Sequence, residues 1–244
     1  DALAEGIAPC EDAVRRAFPD RVLRRAFTSA GVARKLRERD GVTVDTPAGA
    51  ARRLFEEGCR DLLVLPLVVI PGEEFHEKIV KPLLPLRGLF GRFALAAPLL
   101  SSTEDCRNVL AALRPFVPRD GGLLLMGHGS DHPANAAYGF LQTLAENEGM
   151  PVYVATLEGY PELTHAVRRI RKDGIRKISL MPLMIVAGDH AKNDMAGDGE
   201  DSWKNALVRE GFDVTVLLRG IGGLEEIRNI FIRHLSGAAE REPE

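Results

Sequence analysis

"VDTPAGAARRLFEEGCRDLLVLPLVVIPGEE" (residues 44–74) falls on "YPELTHAVRRIRKDGIRKISLMPLMIVAGDH" (residues 160–190) without a gap when the chain is shifted by 116 residues. Ala50 meets Ala166, Arg52 and Arg53 meet Arg168 and Arg169, and Gly58 meets Gly174. Pro66 and Leu67 meet Pro182 and Leu183, and Gly72 meets Gly188. Helix–glycine–strand units converge on two or three such matches by chance, whereas a long gapless register points to duplication. The reading is two similar α/β halves. The polar, proline-containing link "RPFVPRDGG" (residues 114–122) is the expected boundary, giving halves of 1–117 and 118–244.

The pattern continues outward from the repeat. "EDAVRRAF" (11–18) reads as a helix and "RVLRRAFTS" (21–29) as a strand. "TPAGAARRLFEEG" (46–58) reads as a helix capped by Thr46, with Pro47 at its first position and Gly58 as its stop. "DLLVLPLVVI" (61–70) is a continuous apolar run, as in a strand buried on both faces of a parallel sheet. "GGLLLMGHGS" (121–130), "MPVYVATLEGY" (150–160), "KISLMPLMIVAGDH" (177–190) and "FDVTVLLRGIGG" (212–223) read as further strands, and "LEEIRNIFIRHL" (224–235) as the last helix. Alternation of this kind gives an α/β fold with parallel sheets flanked by helices.

Composition excludes several classes. The 244 residues are 45% hydrophobic and 27% charged, with a net charge of −3, so no basic excess argues for nucleic acid. No apolar run approaches the ~20 residues of a membrane helix. Cys10, Cys59 and Cys106 form neither a zinc spacing nor a disulfide framework, which suits a reducing compartment. The expected location is the cytoplasm, or the periplasm if a leader is removed before residue 1. "GIGG" (220–223) lacks dinucleotide-loop spacing, and "GHGS" (127–130) is not a nucleophile elbow.

In open parallel sheets, ligands gather at the carboxyl ends of strands. Two facing halves would put both sets of ends around one cleft. His128 follows "LLLMG", Glu158 follows "VYVATL", and His190 follows "PLMIVAGD", each just past an apolar strand. Two imidazoles and a carboxylate suit a divalent first-row metal with coordination sites left for substrate. The glycines beside His128 and Glu158 would let a bulky ligand come close. In the repeat Glu74 is the counterpart of His190, and Glu73 of Asp189. Asp194 lies four residues after His190, where it caps a helix or holds the imidazole. His165 and His234 are expected at the surface, and His132 in a loop.

"MGHGS", "ATLEGYP" and "MPLMIVAGDHAKNDMAGD" together resemble the anaerobic-type sirohydrochlorin cobalt chelatases, which work without ATP. "AFTSAGVARKLRERDGVTVDTP" and "LPLVVIPGEEFHEKI" extend the likeness through the first half. The resemblance implies two α/β halves, related by pseudo-symmetry, around a tetrapyrrole cleft. It implies an enzyme that inserts Co²⁺ into sirohydrochlorin on the anaerobic cobalamin pathway. His128, Glu158 and His190 would be both metal ligands and catalytic groups, and Glu74, Gly129 and Ser130 would meet the substrate. Family members carry a first strand ending in a Gly-Thr-Ser loop, which is missing from this sequence. The alternatives are Fe²⁺ insertion giving sirohaem or haem, and a metal- or haem-binding protein without turnover, with His76 as the haem ligand. No nucleic-acid or membrane partner is expected, and the sequence leaves a homo-oligomer open.

Overall fold

The computed structural model describes residues 3–41 and 43–241. A π-helical turn, Leu3–Ile7, leads into α1 (Ala8–Ala17), followed by α2 (Ala30–Asp40), α3 (Pro47–Glu56) and β1 (Asp61–Val64). A composite helix then runs through α4 (Glu73–Phe75), a π-turn (His76–Val80) and α5 (Lys81–Leu83), ahead of β2 (Arg92–Leu95) and α6 (Thr103–Leu113). The second half carries β3 (Gly121–Gly129), α7 (Ala136–Asn147), β4 (Val152–Glu158), α8 (Leu163–Lys172) and β5 (Lys177–Pro182). A π-turn (Ala191–Met195), α9 (Trp203–Arg209), β6 (Asp213–Val216) and α10 (Glu225–Glu240) complete it. Every ladder is parallel: β1–β2 in one sheet, β4–β3–β5–β6 in the other.

The repeat holds at the level of single bonds. Helix α8 occupies the bounds of α3 moved by 116 residues, and β1 falls on the first four residues of β5. Beyond the strands, Val64, Val68 and Val69 accept from the backbone N–H groups of Ala96, Leu99 and Leu100. Their counterparts Leu180, Met184 and Ile185 accept from Leu217, Ile221 and Gly222. As expected, Thr46 caps α3, its hydroxyl accepting from Gly49 N at 3.2 Å, and Gly58 adopts φ +94° at the stop.

Two sequence expectations change. "DLLVLPLVVI" forms a strand only over Asp61–Val64, where its ladder with β2 ends at Leu95. Only Leu62 of β1 is buried; Leu63 and Val64 are half-covered. "RVLRRAFTS" is not a strand: its ladder contact is one parallel bridge, Ala26 to Asp45. Arginines hold it instead, through Arg21–Asp61, Arg24–Glu57 and the two-pronged Arg25–Glu11 pair at 2.5 and 2.8 Å. In the second sheet β3 runs between β4 and β5. The corresponding slot in the first half, between residues 21–28 and β1, is an apolar groove of about 560 Å³ lined by Val14, Phe18, Leu23, Leu54 and Leu62. Helices α2, α6, α7 and α9 and the four-residue β2 add to the elements read from sequence.

The apolar core crosses residue 117. Val109, Leu110 and Leu113 of α6 pack with Leu123 and Leu125 of β3, Leu141 of α7, and Ile227 and Phe231 of α10. In turn, Leu235 and Ala238 of α10 cover Leu63 and Ala94 of the first sheet. Each half thus lends a helix to the other.

His234, expected at the surface, fastens this exchange. Its side chain is 12% exposed. Nε2 lies 2.9 Å from Asp105 Oδ1 on α6, and Nδ1 lies 3.0 Å from the Ala97 carbonyl. The Ser102 hydroxyl donates to the second Asp105 oxygen at 2.7 Å. Removing the imidazole strands a buried carboxylate, so His234→Ala should cost about 3 kcal/mol. In a chain of this size that lowers Tm by on the order of 10 °C. Thermal unfolding followed by circular dichroism checks it; a Tm within 2 °C of the parent, roughly the scale of a neutral surface change, rules the role out.

Candidate active site

Order in the second sheet places the three expected ligands. Strand β3 lies between β4 and β5, and all three run the same way. His128 is the penultimate residue of β3, Glu158 the last of β4, and His190 stands at the N-terminus of the π-turn that follows β5. Gly129 and Glu158 are ladder partners. All three side chains are on exposed residues. The rings of His128 and His190 meet edge to face, 4.9 Å between centroids.

Their hydrogen bonds settle which nitrogens are available. His128 Nδ1 lies 3.1 Å from the Gly129 carbonyl, and His190 Nδ1 lies 2.7 Å from Asp194 Oδ2. Both oxygens accept, so each Nδ1 carries its proton and donates. In the neutral rings this leaves both Nε2 lone pairs for a cation. Asp194 therefore holds the imidazole, as its spacing allowed, rather than capping the turn. Among the described residues, no group of three or more histidine, cysteine or acidic side chains is already closed to metal-binding geometry. The structure forms the imidazole pair and sets Glu158 on the adjacent strand.

The glycines work differently from expectation. Gly129 has φ +82°, and a Cβ there would stand 1.7 Å from the Glu158 carbonyl oxygen. A Cβ on Gly159, at φ +76°, would stand 2.8 Å from the Ser130 carbonyl oxygen. Their missing side chains bring two strand ends together rather than opening space for ligand. Gly188 has neither a positive φ nor a close neighbour, so the turn before His190 does not depend on glycine.

Sequence reasoning passed over the supports beneath these loops. Buried Asn135 accepts from Ser130 N at 3.0 Å and donates to the Tyr160 carbonyl at 2.5 Å. It ties the loop after His128 to the loop after Glu158. Tyr138 lies under Gly127, where a Cβ would clash at 2.6 Å with its ring. Burial pushes its pKa up to about 12, against the lowering pull of the Gly129 and His128 backbone, so it stays neutral. An Asn or Tyr in an otherwise ordinary helix-start pattern carries no sequence signal of this role.

The first half closes the other side. Ser130 faces Gly72, His132 stacks on His76 with centroids 5.1 Å apart, and Lys35 bonds Asp189. Glu74 is exposed and accepts from the Thr28 hydroxyl at 2.7 Å. Lys35 holds the Asp189 carboxyl below its ordinary range, with smaller help from Lys192 and His190. Residues of both halves thus meet beside the ends of the second sheet's strands. His165 is part-buried against Tyr160, with ring centroids 4.7 Å apart.

A family model described as cobalt chelatase (CbiK) matches residues 1–240. The chain belongs to the CbiK cobalt chelatase family. It is 42% identical over 241 residues to the sirohydrochlorin cobaltochelatase of Salmonella typhimurium, covering 98% of this chain and 91% of that one. It is 32% identical over 234 residues to sirohydrochlorin cobaltochelatase CbiKC of Nitratidesulfovibrio vulgaris, covering 93% and 82%. In fold it is similar to SirB from Bacillus subtilis with Fe³⁺, at TM-score 0.62 and 16% identity, covering 98% of this chain and 90% of that one. It is also similar to CbiX, described as the terminal enzyme for biosynthesis of sirohaem in denitrifying bacteria, at TM-score 0.55 and 18% identity, covering 98% and 94%. The protein is thus a metal chelatase with the α/β chelatase fold. Among the described residues no helix is long and apolar enough to cross a membrane.

Proposed function

We propose that this chelatase inserts Co²⁺ into sirohydrochlorin in the anaerobic cobalamin pathway, without ATP, with His128, Glu158 and His190 as the residues that hold the metal. The observation that carries the site is the imidazole pair at adjacent strand ends, edge to face and each with Nδ1 engaged in a hydrogen bond. The names of the Salmonella and Nitratidesulfovibrio relatives support the substrate. The two halves, 1–117 and 118–244, would close on the macrocycle, with Glu74, Gly129 and Ser130 along its edge. The reading places the enzyme in the cytoplasm and leaves a homo-oligomer open.

Insertion exchanges the waters of the ion for four ring nitrogens and releases two N–H protons. Imidazole and carboxylate donors hold Co²⁺ in a partly dehydrated state beside the ring. A neutral imidazole, with a reference pKa of ~6.5, accepts a pyrrole proton near neutral pH. Nδ1 of each ring is already donating, so ligation and proton acceptance compete for Nε2. One ring therefore serves the metal while the other takes the proton, or the two jobs follow in time. Glu158, exposed at the strand end, swings onto the ion and passes protons outward.

The same donors suit Fe²⁺. Haem at His76 would be an addition to this reading, on an exposed ring stacked against His132. The test is anaerobic sirohydrochlorin mixed with the protein and either Co²⁺ or Fe²⁺, followed through the macrocycle's absorption bands. Cobalt insertion well above the uncatalysed rate supports the proposal. Insertion of iron alone, or of neither metal, overturns it.

A further inference from the structure

The Lys35–Asp189 pair has a function of its own if the cleft takes an acidic tetrapyrrole, as the reading above holds. Lys35 stands on α2 in the first half. Asp189 immediately precedes His190 in the second. The ammonium joins the two halves by bonding Asp189 Oδ2. Neighbouring cations behave differently: Arg21, Arg24, Arg25 and Arg53 each pair with an acid of their own half.

Exposure decides how firmly the pair is held. The Lys35 side chain is 66% exposed and that of Asp189 is 69%. An ion pair in that much solvent contributes roughly 0–1 kcal/mol. It is too weak to lock two halves whose cores already exchange helices. It is also too weak to resist a second carboxylate arriving with its own binding energy. What it does fix is a location. A carboxylate rests one residue from the metal-binding imidazole, under a cation from the opposite half.

Sirohydrochlorin carries carboxylates around its rim. With the ring nitrogens brought toward His128 and His190, rim carboxylates come to the residues that flank the imidazoles, and Asp189 is next to His190 in the chain and feels its charge. We propose that Lys35 is a substrate-carboxylate ligand and that Asp189 is an internal stand-in, displaced when the macrocycle enters. Binding then swaps one ion pair for another with no net loss of pairing. The displaced Asp189 lies within the same short segment as Lys192. The swap selects tetrapyrroles with free carboxylates over esterified ones, because an ester cannot replace Asp189 on the ammonium.

Equilibrium binding separates this from an interlobe tie. Metal-free sirohydrochlorin is titrated anaerobically into the full chain and followed by absorption, so no turnover is needed. Lys35→Met should weaken binding about tenfold, the scale of a hydrogen bond to a charged group. Asp189→Asn removes the competitor and should tighten binding about threefold, within the scale of an exposed pair. In the double variant the gain from Asp189→Asn should vanish. Opposite signs for the two single variants are the signature. Equal weakening by both would mean the pair only ties the halves together, and affinities within 1.5-fold (about 0.2 kcal/mol) of the parent would mean it does nothing. Either result overturns the proposal. Cobalt insertion by the parent protein, measured in parallel, reports separately on the functional reading.

Discussion

His190→Ala is expected to abolish cobalt insertion while leaving the fold intact. His190 has its Nδ1 engaged by Asp194, which leaves Nε2 as its donor, and its partner ring on His128 lies 4.9 Å away. On the proposed reading alanine removes a metal donor and a proton acceptor together. General acid–base roles alone contribute roughly 10²–10⁴-fold, so the rate should fall by about 10³-fold or more. The residue is exposed, and its strong contact, Asp194, is exposed too. Substitution away from core packing stays within about 0.5 kcal/mol, so Tm should hardly move. Absorption kinetics with sirohydrochlorin and Co²⁺, beside a melting curve, check both halves of the expectation. A variant that inserts cobalt at the parent rate would falsify the assignment.

Gly129→Ala is the other large effect, and it acts through the backbone. The position has φ +82°, which costs an L-residue roughly 1–2 kcal/mol. The new methyl would also sit 1.7 Å from the Glu158 carbonyl oxygen and 2.8 Å from Thr156 Cβ. The oxygen belongs to the paired end of β4 and cannot rotate away, so the strand ends must separate. The expected loss is about 4 kcal/mol or more, in the exceptional range for one substitution. The same motion pulls Glu158 from His128, so any surviving fold should insert cobalt poorly. Gly174→Ala is the control: φ is +71°, with nothing within 4 Å of a Cβ. It should pay only the conformational part, about 1 kcal/mol. Denaturant unfolding of both variants checks the difference, and equal losses would contradict the close-approach argument.

The sequence carried the repeat because duplication leaves marks at fixed spacing. Pro66 with Pro182 and Gly58 with Gly174 recur at one shift, and the same shift carries the bounds of α3 onto those of α8. Strand-end residues were legible for a similar reason. His128, Glu158 and His190 each follow an apolar run, and a parallel sheet delivers such positions to one edge. What stayed hidden depends on contacts distant in the chain. His234 looks like a surface residue on an amphipathic helix until α10 is seen crossing to α6 and Asp105. Asn135 looks like a helix-start residue until its amide joins Ser130 to Tyr160. The strand expected at residues 21–29 has the right composition, yet composition does not supply a ladder partner.

The central claim is that residues 128, 158 and 190 share one cation. Crystals grown with Co²⁺ and measured at the cobalt absorption edge test it most directly. The predicted result is one anomalous peak in the cleft, with His128 Nε2 and His190 Nε2 at about 2.1 Å and a Glu158 carboxylate oxygen at similar distance. A peak bound elsewhere, or bound in the cleft by one imidazole with the other ring and the carboxylate turned away, would contradict it.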